Sequence, residues 1–258
     1  MIYILGAGPS GLFAALACIN ARKEYRILSN TASLPQIGGC QYLHDKCDIN
    51  TWQEHDLLEM VYPIYMSIEE ASIQYSEKQY GRAYSNSIQR IGKRSKKTVV
   101  YDLHEALSSI WDFTETKTEI VGFGCLEDIA EVSRDSSVEL VISTIPLNQF
   151  VKGCLYSTIV VNEEEAISDQ NFVVYNAVRS DPIVRWGNIF GRSFTETFIP
   201  VSHRHLFDPS KLVKKVKFRH ELPSITKVMF AGRYGAWDKN ARVDTVYRDV
   251  RKALENVS

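Results

Sequence analysis

The 258-residue chain has no apolar run long enough to span a bilayer. It has few cysteines, and they are scattered. Cys18, Cys40, Cys47, Cys125 and Cys154 are odd in number and never in C-x-x-C spacing. That pattern speaks against a zinc site or a disulfide framework and makes a reducing, cytoplasmic compartment the expectation. Neither sign of charge is in excess. With 30 Lys+Arg against 31 Asp+Glu the formal net charge is -1, so no global field draws the chain to nucleic acid or to an anionic membrane. The apolar N-terminus has no basic n-region before it, which argues against a secretory signal. Apolar content itself is ordinary. At 45% hydrophobic and 24% charged residues the composition is that of a globular protein, and the length suffices for one sizeable core or two small ones.

The densest information lies in the first dozen residues. Ile2 to Leu5 reads as a buried strand, Gly6, Gly8 and Gly11 follow in G-x-G-x-x-G spacing, and Leu12 to Ala21 reads as a helix. In this arrangement Gly6 permits the tight turn, Gly8 lets a pyrophosphate approach the backbone, and Gly11 lets helix and sheet meet closely. Pro9 sits near the first helical position, where its missing N–H costs little. The free N–H groups at the helix start, beside Ser10, suit an anion. The pattern spells a dinucleotide without saying which.

Further along, three features of a nucleotide-binding protein are missing. An acidic residue is expected about 20 residues past the fingerprint to hold a ribose. After the second strand, Tyr25 to Leu28, the chain instead carries Ser29 and Asn30, which hydrogen-bond a hydroxyl more weakly than a carboxylate does. The pair Gly38-Gly39 offers a second close backbone approach and is followed by Cys40, where the flavoproteins that this stretch resembles often carry an arginine. Gly122-Phe-Gly124 lacks a third glycine and reads as a turn. There is thus one dinucleotide site and no built-in nicotinamide reductase.

The remaining elements read as follows. Strands are expected at Glu59 to Met66, Thr98 to Tyr101, Thr118 to Val121, Glu139 to Leu147, Phe172 to Tyr175 and from Lys227 into Gly232-Arg233. Helices are expected at Ser67 to Tyr80, Leu103 to Trp111 behind an Asp102 cap, and Val243 to Leu254. Two segments are basic. Arg90 to Lys97 is either a solvated turn or an anion-binding patch. Lys211 to His220 reads as an amphipathic stretch with a cationic face, which would suit nucleic-acid phosphates or simply water.

Taken together, the N-terminal fingerprint, the Gly-Gly pair, the Ser143-Thr-Ile-Pro146 strand end and the C-terminal Gly232-Arg233 with its helix resemble the two-dinucleotide-binding-domain flavoproteins. This is the clan of amine oxidases, protoporphyrinogen oxidase and UDP-galactopyranose mutase. The resemblance implies an α/β protein with FAD as cofactor. A Rossmann-like FAD-binding domain would be built from 1–50, 98–150 and 226–258, with a small, reduced α+β substrate-binding part from 51–97 and 151–225. It implies cofactor contacts from Gly6, Gly8, Ser10, Gly11, Ser29, Asn30, Gly38, Gly39 and Gln41. Further contacts would come from Val121 (adenine, through its backbone), Thr144, Pro146, Gly232, Arg233 and Val243. Tyr42, His44, Arg185 (paired with Trp186) and Tyr234 become the candidates for orienting substrate or moving a proton. His44 serves either that purpose or an internal hydrogen bond.

Gln41-Tyr-Leu-His44, Lys78-Gln-Tyr-Gly81, Ser143-Thr-Ile-Pro146 and the run from Arg185-Trp186 through Phe190-Gly191 to Thr195-Glu196 resemble a narrower group of short flavoproteins from phages and actinobacteria. That implies an FAD-dependent oxidoreductase or lyase acting at a carbon next to nitrogen. The substrate would be a small molecule or an amino-acid-modified thymine base in phage DNA, and the site of action the host cytoplasm. Two alternatives stay open. One is a non-redox flavoenzyme resembling the mutase. The other is a non-catalytic flavin-binding partner of a DNA-modifying assembly.

Overall fold

The run Ile2–Leu5 forms strand β1 and Pro9–Asn20 forms helix α1, with Pro9 at the first helical position. In chain order there follow β2 (Tyr25–Ser29), β3 (Tyr42–Leu43), β4 (His55–Tyr62), α2 (Ile68–Tyr80), β5 (Ser95–Asp102), α3 (Leu103–Thr114), β6 (Thr118–Ile120), α4 (Leu126–Arg134) and β7 (Leu140–Ser143). The second half holds β8 (Tyr156–Glu165), β9 (Phe172–Asn176), β10 (Ile183–Ile189), β11 (Arg192–Ile199), β12 (Leu212–Val216), β13 (Val228–Phe230), α5 (Gly232–Gly235) and α6 (Val243–Leu254). This computed structural model describes residues 1–35, 37, 41–49, 51–81, 88, 91, 95–217 and 219–257. Gly38 and Gly39 lie outside the described residues, as does half of the Arg90 to Lys97 cluster.

Two sheets organise the chain. The first has strand order β13-β7-β1-β2-β6 with every pair parallel. Its strands are apolar on both sides because both faces are covered. On one face, Ile2 and Ile4 meet Leu12 and Phe13 of α1, Leu107 and Ile110 of α3, and Val246 and Val250 of α6. On the other, Leu5, Leu28 and Val141 pack with Ile129 of α4 and with Trp237. The second sheet runs β12-β8-β11-β10-β9-β4-β5-β3. Its pairs are antiparallel apart from β4 with β9. Ala71 and Tyr75 of α2 cover one face, over Leu57, Val61, Val173, Tyr175 and Val161.

Helices α2 and α3 each start on a capping side chain, of which Asp102 was expected. Ser67 caps α2 by accepting from Glu70 N at 3.1 Å, and Gly81 closes the helix in the left-handed region at φ 73°. Asp102 caps α3 by accepting from His104 N at 2.7 Å. Lys78 joins α2 to the turn between β9 and β10. Its ammonium donates to the carbonyls of Asn176 (3.2 Å), Val178 (3.0 Å) and Ile183.

Four expectations need correction. The strand placed at Glu59 to Met66 is β4, His55–Tyr62. A buried carboxylate, Glu59, sits between the inward residues Leu57 and Val61 and breaks the apolar alternation. The run from Glu139 to Leu147 is strand only as far as Ser143. The segment from Lys211 to His220 is not a uniformly cationic face: β12 buries Lys215. Finally, residues 98–102 belong to β5 and so to the larger sheet, and the chain joins the parallel layer only at α3, which packs on α1. Among the described residues no helix is long and apolar enough to cross a membrane.

Candidate functional site

The glycine turn after β1 is built by close backbone approach. A Cβ on Gly11 would lie 1.8 Å from Gly6 O, so α1 could not rest on this turn with any other residue there. Thr144, just past β7, clamps the same turn from the neighbouring strand: its hydroxyl donates to Leu5 O at 3.0 Å. Gly8 is the N-cap of α1 and supplies no side-chain cap. A Cβ at Gly8 would meet nothing within 4 Å. The turn is therefore open above Gly8, with the first-turn N–H groups of Ser10 and Gly11 on a positive helix end.

The C-terminal motif arrives at the same place. Gly232 has φ 79°, and a Cβ on it would lie 2.2 Å from Ser10 Oγ. Val246 of α6 borders Gly232 as well, 3.6 Å from that Cβ position. Gly235 lies against Ser143 and Thr144, and Ala231 N donates to Ser143 O at 2.9 Å. Residues from the two ends of the sequence thus form one continuous cradle. Pro146 begins the short turn that follows Thr144, and Val243 opens α6.

Ser29 behaves differently from the ribose ligand expected of it. It is buried, and its hydroxyl oxygen accepts from Ala7 N at 3.2 Å and from Thr31 N at 3.4 Å. It braces the glycine turn, while the exposed Asn30 beside it faces solvent. The N–H of Val121 is likewise engaged, donating to Ser29 O at 2.8 Å.

Of the four candidate catalytic residues, Tyr42, His44 and Arg185 fall along the larger sheet, and Tyr234 stands on α5. At one end the Tyr42 hydroxyl lies 3.2 Å from Glu59 Oε1 and 3.0 Å from the Tyr175 hydroxyl, which donates to the same carboxylate at 2.8 Å. His44 stands edge-on to Tyr42, ring centroids 5.1 Å apart. Tyr175 is in register with Arg185, and Arg185 with Glu196. Arg185 grips Glu196 with two hydrogen bonds, Nε to Oε2 at 2.7 Å and Nη2 to Oε1 at 2.5 Å. Reaching across β8, Lys215 Nζ lies 3.4 Å from Glu196 Oε2. Side-chain exposure is 13% for Arg185, 11% for Lys215 and 1% for Glu196, so this is a buried triad carrying one net positive charge. The expected pairing of Arg185 with Trp186 is not formed. Consecutive strand residues face opposite sides, so Trp186 packs against Tyr62 while Arg185 lies over Phe194.

Tyr234 and Arg233 of α5 join the cradle to this row. The Tyr234 hydroxyl donates to Lys214 O at 2.8 Å, and Arg233 Nε is buried with no hydrogen-bond partner among the described residues. Charges set the local acidities. Burial alone would raise the Glu196 carboxyl, but Arg185 and then Lys215 outweigh it and hold it at about 2. Burial, helped by Arg185 and Arg233 and opposed by Glu196, brings Lys215 down to about 8. Burial raises the Tyr234 hydroxyl.

Gly6, Gly8, Ser10, Gly11, Thr144 and Gly232 therefore come together, and Arg233, Tyr234 and Arg185 adjoin them through Lys214, Lys215 and Glu196. Gln41 and the Tyr42–His44 pair stand on the strand-β3 side. Sequence reasoning missed Glu59, Tyr175, Glu196 and Lys215. Their signal was a charged or hydroxyl side chain at inward positions of otherwise apolar alternation, as in Phe194 and Glu196. Among the described residues no group of three or more His, Cys, Asp or Glu is placed to hold a metal ion.

Compared with known structures, the chain superposes almost entirely on a reduced UDP-galactopyranose mutase, with a TM-score of 0.59 over 99% of this chain and 93% of that one at 11% identity. A tryptophan C-6 flavin-dependent halogenase from taromycin biosynthesis matches with a TM-score of 0.57 over 98% of this chain and 71% of that one at 10% identity. The fold is that of flavin-dependent enzymes. A tryptophan 6-halogenase of Streptomyces toxytricini shares this flavoenzyme fold, with a TM-score of 0.55 at 10% identity over 98% of this chain and 71% of that one. Neither a protein-family model nor any curated protein matches the chain in sequence. At about one residue in ten in common, what is shared with the flavoenzymes is the path of the backbone.

Proposed function

We propose that the chain binds one FAD along the cradle between its N- and C-terminal motifs and uses it to oxidise a substrate at a carbon next to nitrogen. The carrying observation is the contact of Gly232 with Ser10, which brings the glycine motifs from opposite ends of the sequence together and so supports one shared ligand path. The residues fit the group: an open Gly8, uncapped N–H groups at the start of α1, and a buried Arg233 Nε with no partner among the described residues. Ser10 and Gly11 would hold the pyrophosphate by their N–H groups, Asn30 would meet the ribose, and Arg233 would face the flavin end.

FAD, when bound, supplies a two-electron acceptor. The chain's own share is electrostatic and positional. The Arg185–Glu196–Lys215 triad sets a net positive charge beside Arg233, which favours negative charge developing nearby. Tyr42 is hydrogen-bonded to buried Glu59 and Tyr175, and its hydroxyl is the group held to relay a proton from the substrate nitrogen. The lack of a second dinucleotide motif favours direct reduction by substrate, with oxygen or an external acceptor closing the cycle. Within this reading the substrate is an amine, an amino-acid-modified thymine base being the specific case. Anaerobic mixing with a panel of amines, aminated thymidine and oligonucleotides carrying it is expected to bleach the flavin absorbance. Oxidised flavin persisting across the whole panel contradicts the proposal.

The near end-to-end superposition on the mutase favours a second reading, in which the flavin must be pre-reduced and no net oxidation occurs. Product analysis with a UDP-sugar under dithionite separates the two: an isomerised sugar requires the second, and unchanged sugar excludes it.

A further inference from the structure

The segment from Val201 to His220 carries charge that the site described above does not use. Lys215 is committed to Glu196. Among the described residues Arg204, Lys211, Lys214, Lys217 and Arg219 have no carboxylate within ion-pair distance, and His203, His205 and His220 belong to the same stretch of sequence. The acid within the strip, Asp208, is occupied in capping a turn, accepting from Ser210 N at 2.9 Å. Three of these cations meet at the start of β8. Arg204 and Lys214 lie on the Tyr156 ring at 4.9 and 5.2 Å, and Lys217 N donates to Leu155 O at 3.1 Å. Leu206, Leu155 and Phe207 lie beside them with 67%, 56% and 37% of their surface exposed. In a chain whose total charge is -1 this edge, where Asp208 beside Lys211 is the strip's one acid, is locally basic.

We infer that this edge binds the sugar–phosphate backbone of a single-stranded nucleic acid. Unpaired Lys and Arg beside apolar and aromatic side chains that unstacked bases can cover is the chemistry such strands require. Among the described residues the strip has only two short 3-10 turns, Val201–Leu206 and Pro209–Lys211, and no α-helix to enter a major groove, which disfavours a duplex. A bilayer calls for a continuous apolar face, and here only the adjacent Leu206 and Phe207 and, from a separate segment, Leu155 are exposed. Lysines on an edge strand such as β12 also hinder strand addition, but that role does not call for His203, Arg204 or Arg219, which lie outside the strand. The edge adjoins the proposed flavin cradle through the Tyr234 bond to Lys214 O. A strand held there would present its bases toward Arg233 and Tyr234; this last step alone rests on the flavin reading.

The test is fluorescence anisotropy of a labelled oligo(dT) with the full chain over a salt series. Binding should weaken steeply with salt. The triple variant Lys211→Glu, Lys217→Glu, Arg219→Glu should bind on the order of tenfold or more weakly, with a logarithmic salt slope smaller by about 2. A variant of equal charge change at remote exposed sites, Arg26→Glu, Arg134→Glu, Lys252→Glu, should retain the wild-type slope, and thermal melts of the edge variant and the wild type should agree. Absence of binding by the wild type, equal loss in both variants, or tighter binding to phosphatidylglycerol vesicles than to the oligonucleotide overturns the inference. Binding by a colourless, flavin-free protein supports it and removes only the flavin reading.

Discussion

Glu196→Gln is expected to cost about 3–5 kcal/mol of stability, measured as a shift of the urea midpoint at unchanged slope. The carboxylate is essentially inaccessible and offsets two cations that are themselves nearly buried. Removing its charge leaves Arg185 and Lys215 repelling each other in a poorly solvated place. Replacing all three by apolar residues, Arg185→Leu, Glu196→Leu and Lys215→Met, should recover much of the loss, because the penalty belongs to unpaired buried charge. The same pair fixes an acid dependence. Arg185 and Lys215 hold the folded Glu196 at about 2, below its ordinary 4.5, so its contribution is complete above pH 4.5 and is lost as the pH falls through 4.5 toward 2. Wild-type stability should fall across that window more steeply than that of the Gln variant. A Gln variant within about 1 kcal/mol of wild type would show that the triad is solvated in practice.

Gly8→Val and Gly232→Val are expected to separate cofactor binding from folding. The Cβ at residue 8 points into open space, so the Gly8 variant should melt with the wild type, within about 0.5 kcal/mol. Its side chain would nonetheless stand where the pyrophosphate approaches, and FAD affinity should drop by about a hundredfold or more, since a misplaced charged group forfeits several charge-assisted bonds. At Gly232 both properties should fail. The residue has φ 79°, and its Cβ would lie 2.6 Å from Ser10 Cβ. The start of α1 must therefore shift, at a cost of about 2–3 kcal/mol. Melting curves and FAD titrations of the two variants provide the check. Equal FAD affinity in Gly8→Val and wild type would move the pyrophosphate elsewhere.

What the sequence made legible, and what it hid, follows from where each signal resides. The parallel sheet was readable because strands covered on both faces are continuous apolar runs, as in Ile2–Leu5 and Leu140–Ser143, and because Gly11 tolerates no side chain against Gly6 O. The meeting of Gly232 with Ser10 was readable only through the resemblance, since nothing local links positions so far apart. The larger sheet was harder. Its inner face carries Glu59, Tyr175, Arg185, Glu196 and Lys215, and each polar residue interrupts the alternation that identifies a strand. Lys215 resembled its neighbours Lys214 and Lys217, because its burial depends on a partner two strands away. Ser29 stood at the expected ribose position, yet the missing side-chain length let it turn inward to Ala7 N.

The central claim is that the head and tail of the chain close around one FAD. Its most direct test is the flavin content of the purified protein, read from its absorption spectrum and from FAD released on denaturation, with calorimetric titration of FAD into stripped protein alongside. The account predicts a stoichiometry of one FAD per chain, lost in Gly8→Val at unchanged melting. A folded wild-type protein that neither carries nor takes up FAD would contradict it.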